Sequence, residues 1–358
     1  MGAPRVLNVG AITGGRNVPS ARFRVRQYIP ALLKHCVCIN ELQSWTCAYP
    51  PSQRLQRPAW ALLRLLEMAG ASIRSHRYDV TLLQREMVST FATLERWTGR
   101  PRVLDVDDAI HLFRQGSTAR TLAMQCDRVI CGNTHLAEIY RKWNADVVVL
   151  PTAVDTVRYC PRMPISSDPS GEMIVLGWIG TSANLRYLES IERALTTVMQ
   201  LNSNVILHVV CDKPPHMLAV ERARLKYTPW SAANEVAAIQ SFTIGLMPLE
   251  DSFWARGKCS FKMLQYMACG LPVVVSPVGM NAEVLELGEI GYGADSIEQW
   301  VAALTYLVED ETVRCRLGVN GRQIALRDFS VTSLAPRFAG YLGFNTDEIK
   351  HEVPHRRD

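Results

Sequence analysis

The sequence of 358 residues has little of what marks several protein classes. It has ten cysteines but no C-x-x-C pair, and several of them lie in apolar runs, where thiols behave as small buried hydrophobes. A disulfide scaffold or a zinc ribbon is therefore not expected. The sequence also shows no apolar run of about eighteen residues, no export signal and no N-x-[ST] acceptor site. These absences predict a reduced, soluble, cytoplasmic protein.

Charge is scarce as well, at 20% of residues, and 39 basic against 34 acidic residues leave a net charge of only +5. So small a surplus over so long a chain argues against a polybasic nucleic-acid binder. Hydrophobic residues make up 48%, beside 22 glycines and 19 prolines. This composition can bury a large core and excludes disorder over most of the length. The length predicts two domains, or one unusually large one.

Short, continuously apolar runs alternate with longer amphipathic stretches in both halves of the sequence. The runs are 6–9, 80–83, 103–106, 129–131 and 147–150 in the first half, and 173–179, 205–211, 242–247 and 271–275 in the second. Continuous hydrophobicity is typical of parallel strands that helices cover on both faces. We therefore predict an α/β protein with two facing, Rossmann-like, doubly wound domains. Its ligand site is expected in the interdomain cleft, at the carboxyl ends of the strands.

Prolines and turn formers predict a linker at 151–171, between an N-terminal domain at 1–150 and a C-terminal domain at 172–330. The last segment, 331–358, is expected to pack back on the N-terminal domain and to end in a disordered tail. The tail contains an H-E-x-x-H match at 351–355. A proline inside the match opposes the helix that a zinc site needs, so we interpret the match as chance.

The most informative local pattern lies at 256–279. A helix is predicted to begin near Ser260 and to stop at Gly270, where a left-handed C-cap is allowed, before a buried strand. Three cations lie at or before the start of this helix: Arg256, Lys258 and Lys262. Free backbone N–H groups and the helix dipole favour an anion there, so the pattern predicts a phosphate or diphosphate site. The alternative is a set of solvated charges around an ordinary helix-to-strand junction.

This segment resembles the donor site of GT-B glycosyltransferases of the retaining family 4 type. Polysaccharide-associated members have similar segments in the same order, and those in this sequence are 20–30, 104–109, 152–155, 177–181 and 262–283. The resemblance implies a GT-B fold, a nucleoside diphosphate sugar bound mainly by the C-terminal domain, and an acceptor bound mainly by the N-terminal domain. It further implies hexosyl transfer to an acceptor hydroxyl with retention at the anomeric carbon. No metal or other cofactor is expected.

The candidate site residues follow from this resemblance and from the charges. The catalytic candidates are Arg256, Lys258 and Asp107, the two cations because they can stabilise charge on the departing diphosphate. The donor-binding candidates are Gly180, Thr181, Asn184, Lys262, Gln265, Gly279, Asn281 and Glu283. The acceptor-side candidates are Gly14, Gly15, Arg22, Arg24, Arg85, Glu86 and Asp108. Arginines suit an anionic acceptor such as a lipid-linked diphosphate sugar, although surface salt bridging explains any one of them equally well.

Two places depart from the resembled family. Many members have two glutamates, one for the donor sugar and one for the nucleotide ribose, where this sequence has Gly257 and Gln265. Gln265 can still hydrogen-bond a ribose hydroxyl, whereas Gly257 has no side chain. Members often have a histidine after the fourth strand, where this sequence has Asp107 and Asp108, with His111 one turn further. Unless a turn intervenes, only Asp107 is expected to face the reaction, while Asp108 equally suits a helix N-cap.

Two other functions stay open: a nucleotide-sugar epimerase or hydrolase on the same fold, and a non-catalytic sugar-binding protein. The expected partners are a nucleotide sugar and a glycan or lipid-linked acceptor, without nucleic acid. One apolar and basic region fits either core burial or a patch facing a bilayer, and it predicts peripheral association at the inner face of the membrane. Its residues are Tyr28, Trp45, Trp60, Leu63, Leu66, Arg54, Arg57 and Arg64.

Overall fold

Two parallel β-sheets of six strands each form the framework of the protein. The computed structural model describes residues 5–15, 18–46, 50–162 and 173–343. The first sheet contains β1 (Leu7–Thr13), β2 (Val37–Gln43), β3 (Val80–Gln84), β4 (Arg102–Val106), β5 (Arg128–Cys131) and β6 (Val147–Val149). The second contains β7 (Ile174–Ile179), β8 (Val205–Cys211), β9 (Leu225–Pro229), β10 (Ile244–Met247), β11 (Val273–Val275) and β12 (Gly291–Gly293).

Helices connect the strands, and the apolar side chains of each sheet pack into two clusters of buried residues, one on each face. The helices of the first half are α1 (Pro19–Arg24), α2 (Ile29–Leu33), α3 (Arg57–Ser75), α4 (Ser117–Gln125) and α5 (Thr134–Tyr140). Those that follow are α6 (Leu185–Glu189), α7 (Glu192–Leu201), α8 (Glu235–Ile239), α9 (Phe253–Arg256), α10 (Phe261–Ala268), α11 (Met280–Leu285), α12 (Ile297–Glu309), α13 (Glu311–Asp328) and α14 (Val331–Leu342).

The strand order creates a switch point in each sheet. The orders are β2-β1-β3-β4-β5-β6 and β12-β11-β10-β7-β8-β9. The first strand of each sheet, β1 or β7, therefore lies between neighbours that the chain reaches in opposite directions. Such a point opens a crevice outside the carboxyl ends of the strands, where open α/β sheets bind ligands. The predicted fold class, two facing doubly wound domains, is confirmed.

The sequence pattern misses three strands, and all three are edge strands of their sheets: β2, β9 and β12. An edge strand has solvent on one side, so it does not need the continuous apolar run that marks a central parallel strand. β9 shows this most clearly, because each of its residues is exposed or only partly buried. In the second half, the amphipathic stretch after β7 forms two helices, since α6 ends at Glu189 and α7 begins at Glu192.

The last described helix, α14, packs on the N-terminal domain. Phe338 of α14 lies edge-on against Tyr28, with the ring centroids 5.0 Å apart, and both side chains are fully buried. The chain reaches α14 beside the end of the N-terminal domain, because Val154 and Ser330 form a parallel bridge. The chain therefore passes between the two domains twice, once between β6 and β7 and once between α13 and α14.

Parts of the predicted linker and tail lie outside the described residues, at 163–172 and 344–358, and so does the H-E-x-x-H match. The domain boundaries at 150, 171 and 330 therefore stay predictions. No helix in the described ranges is long and apolar enough to cross a membrane.

Candidate active site in the interdomain cleft

A cavity of about 730 Å³ lies in the cleft, at the carboxyl ends of both sheets. Its N-terminal wall is formed by the start of α1 and by residues that follow β3 and β4. Its C-terminal wall is formed by the loop after β7, the start of α8 and the segment between α9 and α10. A cavity of this size can hold a small-molecule ligand of several rings.

Two lysines of the C-terminal wall line the cavity, and the described part of the chain offers neither of them a carboxylate partner. Lys258 Nζ lies 5.4 Å from the ring centroid of Trp254, and Lys262 Nζ lies 5.0 Å from that of Trp178. Burial and the nearby charge of Lys258 lower the pKa of Lys262 to about 7. An anionic ligand in the cavity would raise this pKa again, because an opposite charge favours the protonated amine. The arrangement of the two lysines therefore suits an anionic ligand.

The start of α10 adds backbone donors to this site. Ser260 precedes the helix with φ 49° and ψ 23°, and no side chain caps the first turn. Ser260 Oγ donates instead to Asn281 Oδ1 at 2.7 Å, and Asn281 Nδ2 donates to the Ser276 carbonyl at 2.9 Å. Asn281 is fully buried, so it holds the start of α10 rather than lining the cavity. The N–H groups of the first turn stay available to an anion beside Lys262.

The loop after β7 lines the cavity with Gly180, Thr181 and Asn184. Asn184 Nδ2 donates to Thr181 Oγ1 at 2.9 Å, and the Gly180 N–H donates to the carbonyl of Val210 at 3.0 Å. The loop is thus fixed by its own side chains and by the neighbouring strand β8. The sequence expectation for these three positions agrees with where they lie, while their contacts with a donor stay a prediction.

Gln265 lines the cavity beside Glu235, which begins α8. Gln265 Nε2 donates to Glu235 Oε1 at 3.1 Å, and both residues are buried. Arg22 of the N-terminal domain donates from Nη2 to Glu235 Oε2 at 2.9 Å. Arg22 therefore reaches across the cleft and binds the C-terminal wall, whereas the sequence placed it on the acceptor side.

Asp107 and Asp108 both line the cavity. Only Asp107 was expected to face the cleft unless a turn intervened, and β4 ends at Val106, so both aspartates lie beyond the strand and its alternation of faces does not apply to them. Arg85 Nε donates to Asp107 Oδ1 at 2.5 Å, and Arg85 Nη2 lies 3.5 Å from Asp108 Oδ2. Asp108 Oδ1 also accepts the N–H of the next residue, Ala109, at 3.0 Å, and no side chain caps the 3-10 helix that begins at Ile110. Arg85 holds both carboxylates at the cavity wall.

The segment between α9 and α10 packs directly on the N-terminal domain. A Cβ at Gly257 would lie 2.6 Å from Ala109 Cβ, so the position has no room for the glutamate of the resembled family. Asn133 Nδ2 donates to the carbonyls of Lys258 at 3.0 Å and Arg256 at 3.3 Å. These contacts fix the backbone that carries Lys258.

Three further donor-side candidates surround the cavity without lining it: Arg256, Gly279 and Glu283. Arg256 is exposed and its guanidinium binds Asp251 twice, from Nε at 2.7 Å and from Nη2 at 2.8 Å. Gly279 has φ +56°, and a Cβ there would lie 2.9 Å from the Arg256 backbone, so a close approach accounts for this glycine. Glu283 is exposed and accepts a hydrogen bond from Thr134 Oγ1 at 3.3 Å.

Arg24 was expected on the acceptor side of the cleft, and the structure places it in the core instead. Its side chain is 1% exposed and binds Asp105, whose side chain is also 1% exposed. Arg24 Nη2 donates to Asp105 Oδ1 at 2.6 Å, and Nη1 donates to the Leu150 carbonyl at 2.7 Å. With its donors used in this way, Arg24 braces β4 rather than meeting an acceptor.

The other acceptor-side candidates also lie outside the cavity lining: Gly14, Gly15 and Glu86. The Gly15 carbonyl accepts from Arg26 Nη2 at 2.8 Å, and Glu86 Oε1 accepts the N–H of Thr90 at 3.0 Å. His111 does not line the cavity either. Burial, with the neighbouring His135, lowers the pKa of His111 to about 4, so this imidazole is neutral at ordinary pH.

Several cavity residues were not among the sequence candidates: Ser20, Arg186, Trp230, Glu235 and Trp254. Trp230 and Glu235 follow the edge strand β9. Because the sequence pattern did not reveal β9, the loop after it was not recognised as part of the site. A search for polar and aromatic residues after every strand end would have found them if β9 had been recognised. In the described ranges, no group of three or more His, Cys, Asp or Glu residues is placed to hold a metal ion.

Part of the second half of the chain matches a known protein family. Residues 174–310 match the family model described as Glycosyl transferases group 1. This segment contains β7 to β12 and hence the whole C-terminal wall of the cavity, with Lys258 and Lys262. None of the curated proteins matches the sequence.

Solved structures with a similar fold include proteins with roles in sugar transfer and synthesis. Anabaena HepE in complex with UDP and glucose has a TM-score of 0.67 at 15% identity, covering 94% of this chain and 99% of that one. Sucrose-phosphate synthase from Thermosynechococcus elongatus has a TM-score of 0.67 at 13% identity, covering 93% and 98%. WaaG, a glycosyltransferase of lipopolysaccharide biosynthesis, has a TM-score of 0.63 at 12% identity, covering 93% and 99%.

The fold and the matched domain together define the class. The chain has the GT-B architecture over nearly its whole length, and the segment that forms the C-terminal wall of its cleft matches the model Glycosyl transferases group 1. The protein is a glycosyltransferase.

Proposed function

We propose that the enzyme moves a hexosyl group from a nucleoside diphosphate sugar to an acceptor hydroxyl, with retention at the anomeric carbon. The observation that carries the proposal is the pair Lys258 and Lys262, which face the cavity beside the uncapped start of α10 without a carboxylate partner in the described ranges. A diphosphate supplies the missing negative charge. HepE, which has a similar fold, was solved with UDP and glucose, and this supports a nucleotide-sugar donor here.

The lysines would act on the leaving group. As the bond between the anomeric carbon and the diphosphate oxygen breaks, negative charge grows on that oxygen. Lys258, Lys262 and the first N–H groups of α10 are already in place to stabilise this charge, and they need no reorganisation at that moment. Arg256 can add a third cation only by leaving Asp251, since both its bonds to that carboxylate are short.

Glu235 and Gln265 would hold the nucleoside. Each oxygen of a carboxylate can accept two hydrogen bonds, and Glu235 uses one oxygen for Gln265 and the other for Arg22. Arg158 Nη2 lies 3.7 Å from the oxygen that binds Arg22, and the Tyr159 hydroxyl also bonds to this carboxylate. The remaining acceptor capacity suits a ribose hydroxyl. Trp230, which also lines the cavity, offers a flat surface for a base.

On the opposite wall, Asp107 would orient the acceptor hydroxyl. Arg85 holds the Asp107 carboxylate through a bond at 2.5 Å, and the second carboxylate, Asp108, lies beside it. We expect a glycan or a lipid-linked sugar as acceptor, bound with the enzyme in peripheral contact with the inner face of a membrane. If the acceptor carries an acidic group, Arg85 is the arginine of this wall that would bind it.

The test is an assay of nucleotide release from a panel of nucleotide sugars, with and without glycan and lipid-linked acceptors. A transferase releases the nucleoside diphosphate at a rate that an acceptor raises, and NMR of the product reports the anomeric configuration. Acceptor-independent release would indicate a hydrolase, and interconversion of sugars without net release would indicate an epimerase. Binding without turnover for every donor would overturn the proposal and leave a sugar-binding protein.

A further inference from the structure

The helix α3 is amphipathic with its apolar side facing outward. At 3.6 residues per turn, Leu62, Leu66 and Ile73 lie within about 40° of one another around the helix, and these side chains are 61%, 62% and 73% exposed. The opposite side, which packs on the domain, carries Arg64 and Met68 together with small residues. A helix that only covered a sheet would place its leucines inward. The outward side of α3 is therefore a surface built for a partner.

More apolar side chains extend this surface towards the preceding loop. Trp45 is 95% exposed, Leu55 is 96% exposed, and Leu63 is 55% exposed. We call the α3 face the set Trp45, Leu55, Leu62, Leu63, Leu66 and Ile73. Exposed apolar residues are scattered singly on ordinary surfaces, whereas four of these six lie on one helix and Leu55 lies in the turn just before it. Such a concentration is typical of a docking surface.

Three exposed arginines lie at the two ends of α3, Arg54 and Arg57 at its start and Arg74 in its last turn. The one acidic residue of 50–77 is Glu67, whose carboxylate turns inward and accepts the Thr46 hydroxyl at 2.6 Å. Not every residue predicted for this region takes part, because Tyr28 and Arg64 are buried. Arg64 donates instead to the carbonyls of Thr46 and Met87.

The α3 face also lies near the acceptor side of the cleft. β2 ends at Gln43 and α3 begins at Arg57, so Trp45, Leu55 and the start of α3 lie at the carboxyl edge of the first sheet. Arg85 and Asp107 of the cavity wall follow β3 and β4 at that same edge. A surface on which the α3 face rests therefore lies close to the place where an acceptor enters.

We propose that the α3 face docks the protein on an anionic lipid bilayer. Leucines and a tryptophan bordered by arginines match such a surface, whose interior is apolar and whose headgroups are negative. A second copy of the chain fits less well, because a twofold contact of this face would bring its arginines together. This inference rests on the proposed function in one respect, because docking would bring the enzyme to a lipid-linked acceptor.

The experiment is flotation of the full chain with vesicles of phosphatidylcholine alone or mixed equally with phosphatidylglycerol. We expect binding to the mixed vesicles that falls as salt rises, and little binding to phosphatidylcholine alone. Leu62→Ser with Leu66→Ser should lower the partition coefficient at least tenfold, and Arg54→Gln with Arg57→Gln should remove the salt dependence. The matched control is Leu201→Ser with Leu218→Ser, two leucines of the C-terminal domain that are 64% and 81% exposed, and it should bind as the parent does.

Two results would overturn the docking. One is a protein that stays in the soluble fraction with mixed vesicles at low salt. The other is a dimer in light scattering that the Leu62 and Leu66 pair of changes turns into a monomer, because the α3 face would then be a contact between copies. Nucleotide release with a soluble acceptor should be normal in all these variants, so a failure of docking leaves the proposed transferase standing. Docking by a protein that transfers no sugar would instead overturn the proposed function.

Discussion

The two walls of the cavity differ in how their charged side chains are paired. On the N-terminal wall every charged side chain has an opposite charge beside it: Arg85 with Asp107 and Asp108, and Arg24 with Asp105 behind them. On the C-terminal wall, Glu235 is paired with Arg22, but Lys258 and Lys262 have aromatic rings and no carboxylate beside them within the described ranges. A paired charge stabilises the fold, while an unpaired, partly buried charge costs free energy until a ligand of opposite charge binds. The difference indicates that the C-terminal wall, with Lys258 and Lys262, is the one suited to an anionic ligand.

The strongest test of the paired wall is Arg24→Met, which leaves Asp105 buried without its partner. Removing one member of a buried ion pair costs about 3–5 kcal/mol of unfolding free energy, measurable by urea denaturation. Arg327→Met is the control, because its pair with Asp328 is exposed, with Arg327 66% and Asp328 32% accessible. That change should cost less than about 1 kcal/mol. Adding Asp105→Leu to Arg24→Met should recover most of the loss, and a small loss in the single variant would mean that the pair is not structural.

The unpaired wall is tested by comparing Lys258→Ala with Arg256→Ala. Loss of a charge-assisted contact in a desolvated site costs about 2–4 kcal/mol, so kcat/KM should fall roughly thirty- to a thousand-fold for Lys258. Arg256 is exposed and already bound to Asp251, and its loss should change kcat/KM less than about threefold. Melting temperatures should stay close to that of the parent in both. Equal losses in the two variants would show that Arg256 leaves Asp251 to join the donor.

Glu235 lies where the two walls meet, since it binds Gln265 from its own domain and Arg22 from the other. Glu235→Gln keeps the size of the side chain and removes half of its acceptor capacity, so the Kd of the nucleoside diphosphate should rise about tenfold in calorimetry. Arg22→Gln breaks the contact between the domains but leaves the carboxylate, and its Kd should change less than about threefold. Glu286→Gln, an exposed change, is the control. A larger effect from Arg22→Gln would assign Glu235 to domain contact alone.

The smallest effect is expected at Asn133, which supports the lysine wall from the other domain. Its Oδ1 caps α5 by accepting the Leu136 N–H at 2.8 Å, and its Nδ2 donates to the Lys258 carbonyl. Serine caps helices as well as asparagine does but is too short to reach that carbonyl. Asn133→Ser should therefore lower kcat/KM about three- to tenfold, the worth of one hydrogen bond, with little change in melting temperature. Asn320→Ser, which removes an exposed bond to the Glu289 carbonyl, should leave kcat/KM unchanged.

The sequence predicts helices and strands well where they depend on residues that are close together in sequence. Central parallel strands need continuous apolar runs, and the helix, glycine cap and strand of 256–279 follow from the residues themselves. The edge strand β9 has no such run, and with it Trp230 and Glu235 were missed. Arg22 and Arg24 show the other limit, because nothing in the segment around them says that one crosses the cleft and the other is buried against Asp105. Such pairings depend on residues far away in sequence, which a pattern of neighbours cannot reveal.

The most direct test of the account is the pH dependence of nucleoside diphosphate binding. The depressed pKa of Lys262, about 7, means that the free enzyme loses this charge as the pH rises through 7, and bound diphosphate restores it. Between pH 6 and pH 8 the affinity of the parent should fall about tenfold relative to Lys262→Arg, which stays charged throughout. The titration of the ligand is common to both proteins and cancels in this ratio. A ratio that stays constant from pH 6 to pH 8 would contradict the account, because the diphosphate would then bind without Lys262.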